Sequence, residues 1–131
     1  MRKFDSGATR DDDDQKLDFE GFLSPLVLYR YALYMHKHRV QSDGSLRDSD
    51  NWQKGIPRSA YMKSMWRHLM DVWSLHRNIP VEDYDGRDID LEEALCALAF
   101  NVLGYLHEAT SDYETPGVSA GTAALARSEI L

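Results

Sequence analysis

The sequence is short of cysteine, of positive charge and of long apolar runs, and each shortage excludes a class of protein. Its single cysteine, Cys96, lies in the apolar run ALCALAFNVL, which predicts a buried, reduced thiol. Only 15 Lys and Arg residues face 22 Asp and Glu residues, and a net charge of −7 disfavours binding to nucleic-acid phosphates. No apolar run has the roughly 20 residues that cross a membrane, and the first residues resemble no signal peptide. We therefore expect a cytoplasmic protein with neither a membrane nor a nucleic acid as partner.

The familiar nucleotide and hydrolase motifs are also missing. The sequence contains no GxxxxGK[ST], no GxGxxG, no GxSxG and no Cys/His spacing typical of zinc. Any nucleotide chemistry must therefore be done by side chains on helices. A chain of 131 residues, 43 % of them hydrophobic, is long enough for one domain with a modest core.

Three amphipathic helices are predicted. The first follows the Ser24-Pro25 start signal and covers 26–38, and the second begins at Arg58 or Ser59. The third follows Asp90, a natural N-cap residue. No strand pattern is convincing. The sequence predicts an all-α fold, a small bundle of three to four helices, with a polar N-terminal arm (1–21), a helical domain (22–110) and a C-terminal tail or short helix (111–131).

The second helix carries an apolar stripe that predicts a buried face. Its members recur every three or four positions: Met62, Met65, Leu69, Val72 and His76. Trp66 and Trp73 widen this stripe. Such wide apolar faces bury more surface when copies of the chain pair, so we expect a homo-oligomer, a dimer or a tetramer.

The same helix carries the clearest candidate for chemistry, Arg67-His68-x-x-Asp71. His68 and Asp71 are three residues apart and therefore face the same way. A histidine beside a carboxylate can ligate a metal or move a proton. The alternative is an ordinary solvated pair on a helix surface.

Two acidic segments also have alternative interpretations. Glu93 lies three residues after Asp90, which is capping-box spacing, but with Asp71 it could also bind a hard cation such as Mg²⁺. Near the N-terminus, Arg10 and Lys16 flank four consecutive aspartates. Such a run is typical of a solvated tail, whereas the two cations could instead close over a triphosphate that carries Mg²⁺.

Four stretches carry a resemblance: SGATRDDDDQKLDFEGFLSPLVLYRYALYMHKH, NWQKGIP, MWRHLMDVW and EEALCALAFNVLGYLHE. In this order they resemble a phage-borne family of dATP/dGTP diphosphohydrolase-like proteins, related to the MazG-type all-α nucleotide pyrophosphohydrolases. The resemblance covers about residues 6–109, and the ordered set is more specific than any single motif. The positions that match the family pattern are Arg10, Asp11, Lys16, Asn51, Trp52, Lys54, Gly55, Arg67, His68 and Asn101.

The resemblance implies a Mg²⁺-dependent cleavage of a deoxypurine nucleoside triphosphate to the monophosphate and pyrophosphate, with Mn²⁺ as an alternative ion. It implies a catalytic role for His68 and Asp71. Substrate binding is then implied for Arg10, Lys16, Asn51, Trp52, Lys54, Arg67 and Asn101. The implied oxygen ligands of the metal are Glu20, Asp71 and Glu93.

The chain departs from the MazG pattern in its carboxylates. It has neither Glu-x-x-Glu on one helix nor Glu-x-x-Asp on the next, and the helix over 26–38 contains no acid. The four-acid metal cage therefore does not carry over to this chain. Two other interpretations stay open beside the enzyme: a non-catalytic nucleotide-binding protein, and a helical scaffold of a phage complex.

Overall fold

The structure is a computed structural model, and it describes residues 1–111. The C-terminal segment predicted as a tail or a short helix (111–131) lies, after residue 111, outside the described residues. The chain divides into two compact units, Met1–Leu33 and a second unit that starts at Tyr34.

The first unit begins with a small antiparallel hairpin of β1 (Arg2–Lys3) and β2 (Thr9–Arg10). The expectation of no strand was wrong here. The N-terminal ammonium group lies 3.0 Å from Asp12, and the Arg2 guanidinium lies 3.0 Å from Asp13. The aspartate run is thus partly neutralised by the chain's own first two residues, which the sequence pattern did not reveal.

Two helices follow, α1 (Phe19–Phe22) and α2 (Pro25–Lys37). The Ser24 hydroxyl accepts a hydrogen bond from the backbone N–H three residues on, at 3.3 Å, so the predicted start signal of α2 is confirmed. No residue of α2 is buried. The division between the two units falls within this helix.

The second unit is built on α3 (Arg58–His76) and α4 (Leu91–Ser111). Both predicted starts are confirmed. The Asp90 carboxylate accepts the Glu93 N–H at 2.8 Å, which caps α4 as expected. After the C-cap of α3 the chain turns through Asn78, whose φ of 60° is left-handed. The N–H groups of Asn78 and Ile79 donate to the carbonyls of Leu75 and Ser74, which is the Schellman arrangement.

The connections on either side of α3 contain short ordered pieces. A 3₁₀ turn covers Asn51–Lys54, and Gly55 follows it with a φ of 112° that favours glycine. Isolated antiparallel bridges join Val40 to Leu46 and Glu82 to Asp88. The segment 41–57 between α2 and α3 is therefore folded locally.

α3 and α4 pack against each other and run antiparallel, because residues at the start of α3 contact residues near the end of α4. Tyr61 is the largest fully buried side chain, and its ring lies where a side chain at Gly104 would have to be. The fully buried residues of the described chain are otherwise small or polar: Ala94, Cys96, Ala97, Asn101 and Gly104. The all-α expectation is confirmed, as is the burial of Cys96.

The apolar stripe of α3 was expected to be buried, and within the described single chain this was right only in part. Met65 and Val72 are half-buried, whereas Met62 and Leu69 are each 43 % exposed and Trp66 is 64 % exposed. The fully buried residue of α3 is Tyr61, which packs against α4. Periodicity identifies the apolar face of a helix, but it does not tell which neighbour covers that face.

Candidate functional site

The side of α3 that contains Tyr61 is mixed in character. With 100° per residue, the apolar Met65, Val72 and Leu75 lie on it and are half-buried. Three half-buried polar residues, Ser64, His68 and Asp71, lie toward one edge of the same face. Exposure of the His68 and Asp71 side chains is 22 % and 25 %. These two predicted residues are thus sheltered and not on an open helix surface.

His68 and Asp71 form a loose pair. Nδ1 of His68 lies 3.8 Å from Oδ2 of Asp71, which is ion-pair distance but longer than a hydrogen bond. Burial, helped by the neighbouring Arg67 charge, lowers the pKa of His68 below its ordinary value, and this outweighs the opposite effect of Asp71. His68 is therefore neutral at pH 7 and has a ring nitrogen that can accept a proton or ligate a metal.

The fully buried residues on the facing side of α4 are small residues and one amide, and the half-buried Phe100 meets the Tyr61 ring beside them. Ala94, Ala97 and Gly104 are buried there, and Asn101 is only 5 % exposed. The Asn101 side chain donates from Nδ2 to the Ala97 carbonyl at 2.8 Å. The small neighbours allow α3 to approach closely, and Asn101 is the buried polar side chain at this seam.

Glu108 connects the segment before α3 to the end of α4. Its Oε1 accepts the Ile56 N–H at 3.3 Å, and its backbone carbonyl accepts Nη2 of Arg58 at 3.3 Å. Burial, with a smaller contribution from the Glu108 charge, raises the pKa of Tyr61. The Tyr61 hydroxyl is therefore a neutral group, and it is buried without a hydrogen-bond partner among residues 1–111.

The segment 51–57 (NWQKGIP), which we call the rim loop and which carries three of the residues implied in substrate binding, docks on the same end of α4. The Trp52 ring meets the His107 ring edge-on, with centroids 4.7 Å apart. Lys54 lies 3.6 Å from Asp48, and both side chains are mostly exposed. Asn51 is half-buried. The structure thus places Trp52 against the end of α4. Contact between Trp52 and a nucleotide base stays a prediction.

The three N-terminal site residues belong to the first unit. Arg10 is in β2, Lys16 follows the aspartate run, and Glu20 is in the first turn of α1. All three are exposed. The remaining predicted residues lie in the second unit.

The predicted oxygen ligands do not form a metal cluster within the described part of the chain. Glu93 lies 3.7 Å from the Lys37 ammonium group, and Asp71 is the neighbour of His68. Across residues 1–111 no group of three or more His, Cys, Asp or Glu side chains is placed to hold a metal ion. The residues that one chain supplies in this structure do not fit a complete metal site.

Sequence reasoning missed three residues that shape this region: Tyr61, Gly104 and Glu108. Tyr61 lies seven positions before His68, which is two helical turns on the same face, and that spacing was the available signal. Glu108 acts on residues about 50 positions earlier in the chain, so no local pattern identifies it.

The comparisons with known proteins place the chain in no family: it matches no family model, no curated protein and no solved structure. No helix within residues 1–111 is long and apolar enough to cross a membrane.

Proposed function

We propose that this chain is a nucleoside triphosphate pyrophosphohydrolase that converts a (deoxy)purine triphosphate to the monophosphate and pyrophosphate. The observation that carries the proposal is the sheltered His68–Asp71 pair on α3, next to Arg67 and on the side of the helix that meets α4. A neutral, half-buried histidine beside a carboxylate is what a general base in water attack requires. The resemblance to phage-borne diphosphohydrolase-like proteins supports the same reaction and a role in phage nucleotide pools.

In the proposed reaction His68 accepts the proton of the attacking water, and Asp71 stabilises the imidazolium that forms. The two side chains lie 3.8 Å apart, and they form an ion pair only when His68 is protonated. Arg67 is exposed on the same helix and supplies a fixed positive charge for phosphate oxygens.

Asn51, Trp52 and Lys54 are the proposed contacts for the nucleoside and an outer phosphate. Their loop is held to α4 through the Trp52–His107 ring contact, which fixes its position before a ligand arrives. Mg²⁺ enters this proposal as part of the substrate, because triphosphates carry it in solution. Since the described residues of one chain do not fit a metal cage, no step is assigned to a protein-bound ion.

The test is turnover by the full chain with each deoxynucleoside triphosphate and Mg²⁺, with products separated by ion-exchange chromatography. A monophosphate and pyrophosphate are expected from a purine substrate. Asp71→Asn and His68→Gln should lower kcat at least a hundredfold, and the far-UV circular dichroism should not change. Asp85→Asn and His36→Gln, both at exposed positions, are the matched controls and should keep the activity.

A second candidate is a non-catalytic nucleotide-binding protein, which the docking of the Trp52 ring on His107 supports without requiring a metal cage. This candidate predicts nucleotide binding with no turnover for the unmodified chain. Trp52→Ala and Lys54→Ala should then weaken binding of the triphosphate. If neither changes the affinity, the assignment of this loop to the ligand is refuted for both candidates.

A further inference from the structure

The rim loop is fixed to α4 at two points, which are consecutive residues of that helix. The Trp52 ring meets the His107 ring edge-on at 4.7 Å, and the Ile56 N–H donates to Oε1 of Glu108 at 3.3 Å. These four residues are all half-buried, whereas residues 53–55 between the two anchors are exposed. The loop therefore turns its middle part to solvent while the residues on either side are held against α4.

Glu108 is unfavourably placed with respect to its own helix. It lies in the last turn of α4, which contains no basic residue, and the negative end of a helix dipole disfavours a carboxylate there. Arg58 is unfavourably placed in the same sense, because it is a cation in the first turn of α3, which contains no acid. Neither charge is therefore explained by the helix that carries it.

Each of the two residues instead complements the other helix. The N-cap residue of α3 is Pro57, and a proline ring has no oxygen with which to cap the helix. The Glu108 carboxylate lies at this end of α3 and accepts the N–H of the residue before Pro57. In return, Nη2 of Arg58 donates at 3.3 Å to the backbone carbonyl of Glu108, one of the last four carbonyls of α4. The two antiparallel helices thus stabilise each other's ends.

The bond between Glu108 and Ile56 is the one that reaches the rim loop. Ile56 lies two residues after Lys54, and Gly55 between them has a φ of 112°, which residues with a side chain rarely adopt. The backbone between Lys54 and α3 is thus set at two neighbouring residues, by the conformation of Gly55 and by the hydrogen bond of Ile56. The position from which Lys54 is presented therefore depends on Glu108.

We propose that Glu108 is a positioning residue of the nucleotide site. It holds the rim loop in the geometry in which Trp52 and Lys54 meet the triphosphate, and it does not touch the nucleotide itself. This inference rests on the proposed function, from which it takes the roles of Trp52 and Lys54. A loop that is ordered before its ligand arrives saves the cost of ordering it on binding. Removing the Glu108 side chain therefore weakens nucleotide binding and leaves the chemical step, which is assigned to His68, unchanged.

The first measurement needs no nucleotide. Trypsin cuts after lysine, so the rate of cleavage between Lys54 and Gly55 in the folded chain, followed by mass spectrometry, reports how often the loop opens. Glu108→Ala should raise this rate about tenfold, because it leaves a sheltered N–H without its acceptor. Glu108→Gln keeps an oxygen acceptor for Ile56, so its cleavage rate should stay near that of the unmodified chain.

The second measurement uses the triphosphate with Mg²⁺. Glu108→Ala should raise KM about tenfold with kcat unchanged, or raise Kd by the same factor if the chain binds without turnover. Glu108→Gln should restore the original value. The matched control is Asp90→Ala, which weakens the cap of α4 about 27 Å away along the helix. It tests a merely structural effect, and it should change neither KM nor the cleavage after Lys54.

The outcomes separate this proposal from the proposed function. A cleavage rate that Glu108→Ala does not change overturns the proposal, whatever the nucleotide measurements give. Faster cleavage with an unchanged KM or Kd also overturns it and leaves the proposed function standing. If the unmodified chain neither binds nor hydrolyses any triphosphate, the proposed function fails and the role of Glu108 toward a nucleotide fails with it. If Glu108→Ala does not fold, His107→Ala removes the other anchor and should raise both the cleavage rate and KM; no change in either overturns the proposal.

Discussion

Gly104 is the position at which the α3–α4 seam can be tested most sharply. A Cβ atom built at residue 104 overlaps ring carbons of Tyr61 and lies 2.7 Å from its hydroxyl oxygen. Tyr61 is 1 % exposed, so its ring has no free space into which it can turn. Gly104→Ala therefore combines a steric cost with the gain in helix propensity that alanine brings.

The two contributions can be compared. Overpacking a well-filled core costs about 1–3 kcal/mol, and an overlap with a buried ring belongs at the upper end of that range. Replacing glycine by alanine inside a helix contributes about 1 kcal/mol in the opposite direction. We expect Gly104→Ala to lower the free energy of unfolding by about 2 kcal/mol.

The assay is urea unfolding followed by far-UV circular dichroism, at one fixed protein concentration because assembly would also affect stability. The internal control is Tyr61→Leu, which removes the overlapping ring atoms. In that background the same Gly104→Ala change should raise the free energy of unfolding by about 1 kcal/mol, which is the propensity gain alone. The reasoning is refuted if the effect of Gly104→Ala has the same sign in both backgrounds.

Two further predictions concern single groups. The folded chain lowers the pKa of His68 below its ordinary 6.5, so the unfolded chain binds the proton first as the pH falls. The free energy of unfolding should therefore decrease as the pH drops below 6.5, and it should decrease less steeply with pH in His68→Gln. Equal pH dependences of the two proteins in urea titrations would contradict this. Asp90→Ala removes the carboxylate that accepts the Glu93 N–H at 2.8 Å, and it should lower the free energy of unfolding by about 1 kcal/mol. Asp90→Ser keeps an oxygen acceptor and should cost only part of this. Equal losses for both variants in thermal unfolding would argue against the cap.

Helix positions were predictable because their signals are local. Ser24 and Asp90 each act on an N–H three residues away, and the structure shows both bonds. The orientation of α3 was not predictable in the same way. Its apolar stripe gave the amphipathic face correctly, yet in the single chain Tyr61 and His68 lie toward α4, because the neighbour of a face is decided by the whole fold.

The candidate site was predictable in part. The three-residue spacing of His68 and Asp71 predicted that they would lie together, and they do, at 3.8 Å. The docking of the rim loop on Glu108 and His107 depends on contacts between residues about 50 positions apart. Neither spacing nor composition reports such contacts, so Glu108 could be found only from the folded chain.

The small residues at the seam have a consequence for how this protein can change under selection. Ala94, Ala97 and Gly104 act as spacers that set the distance between the helix with His68 and the helix with Asn101. Adding one methyl group at such a position moves a whole helix, and with it every polar group on that helix. Under the proposed nucleotide-binding function, variants with altered nucleotide preference should therefore arise at these three positions, which carry no polar side chain, as well as among the polar residues themselves.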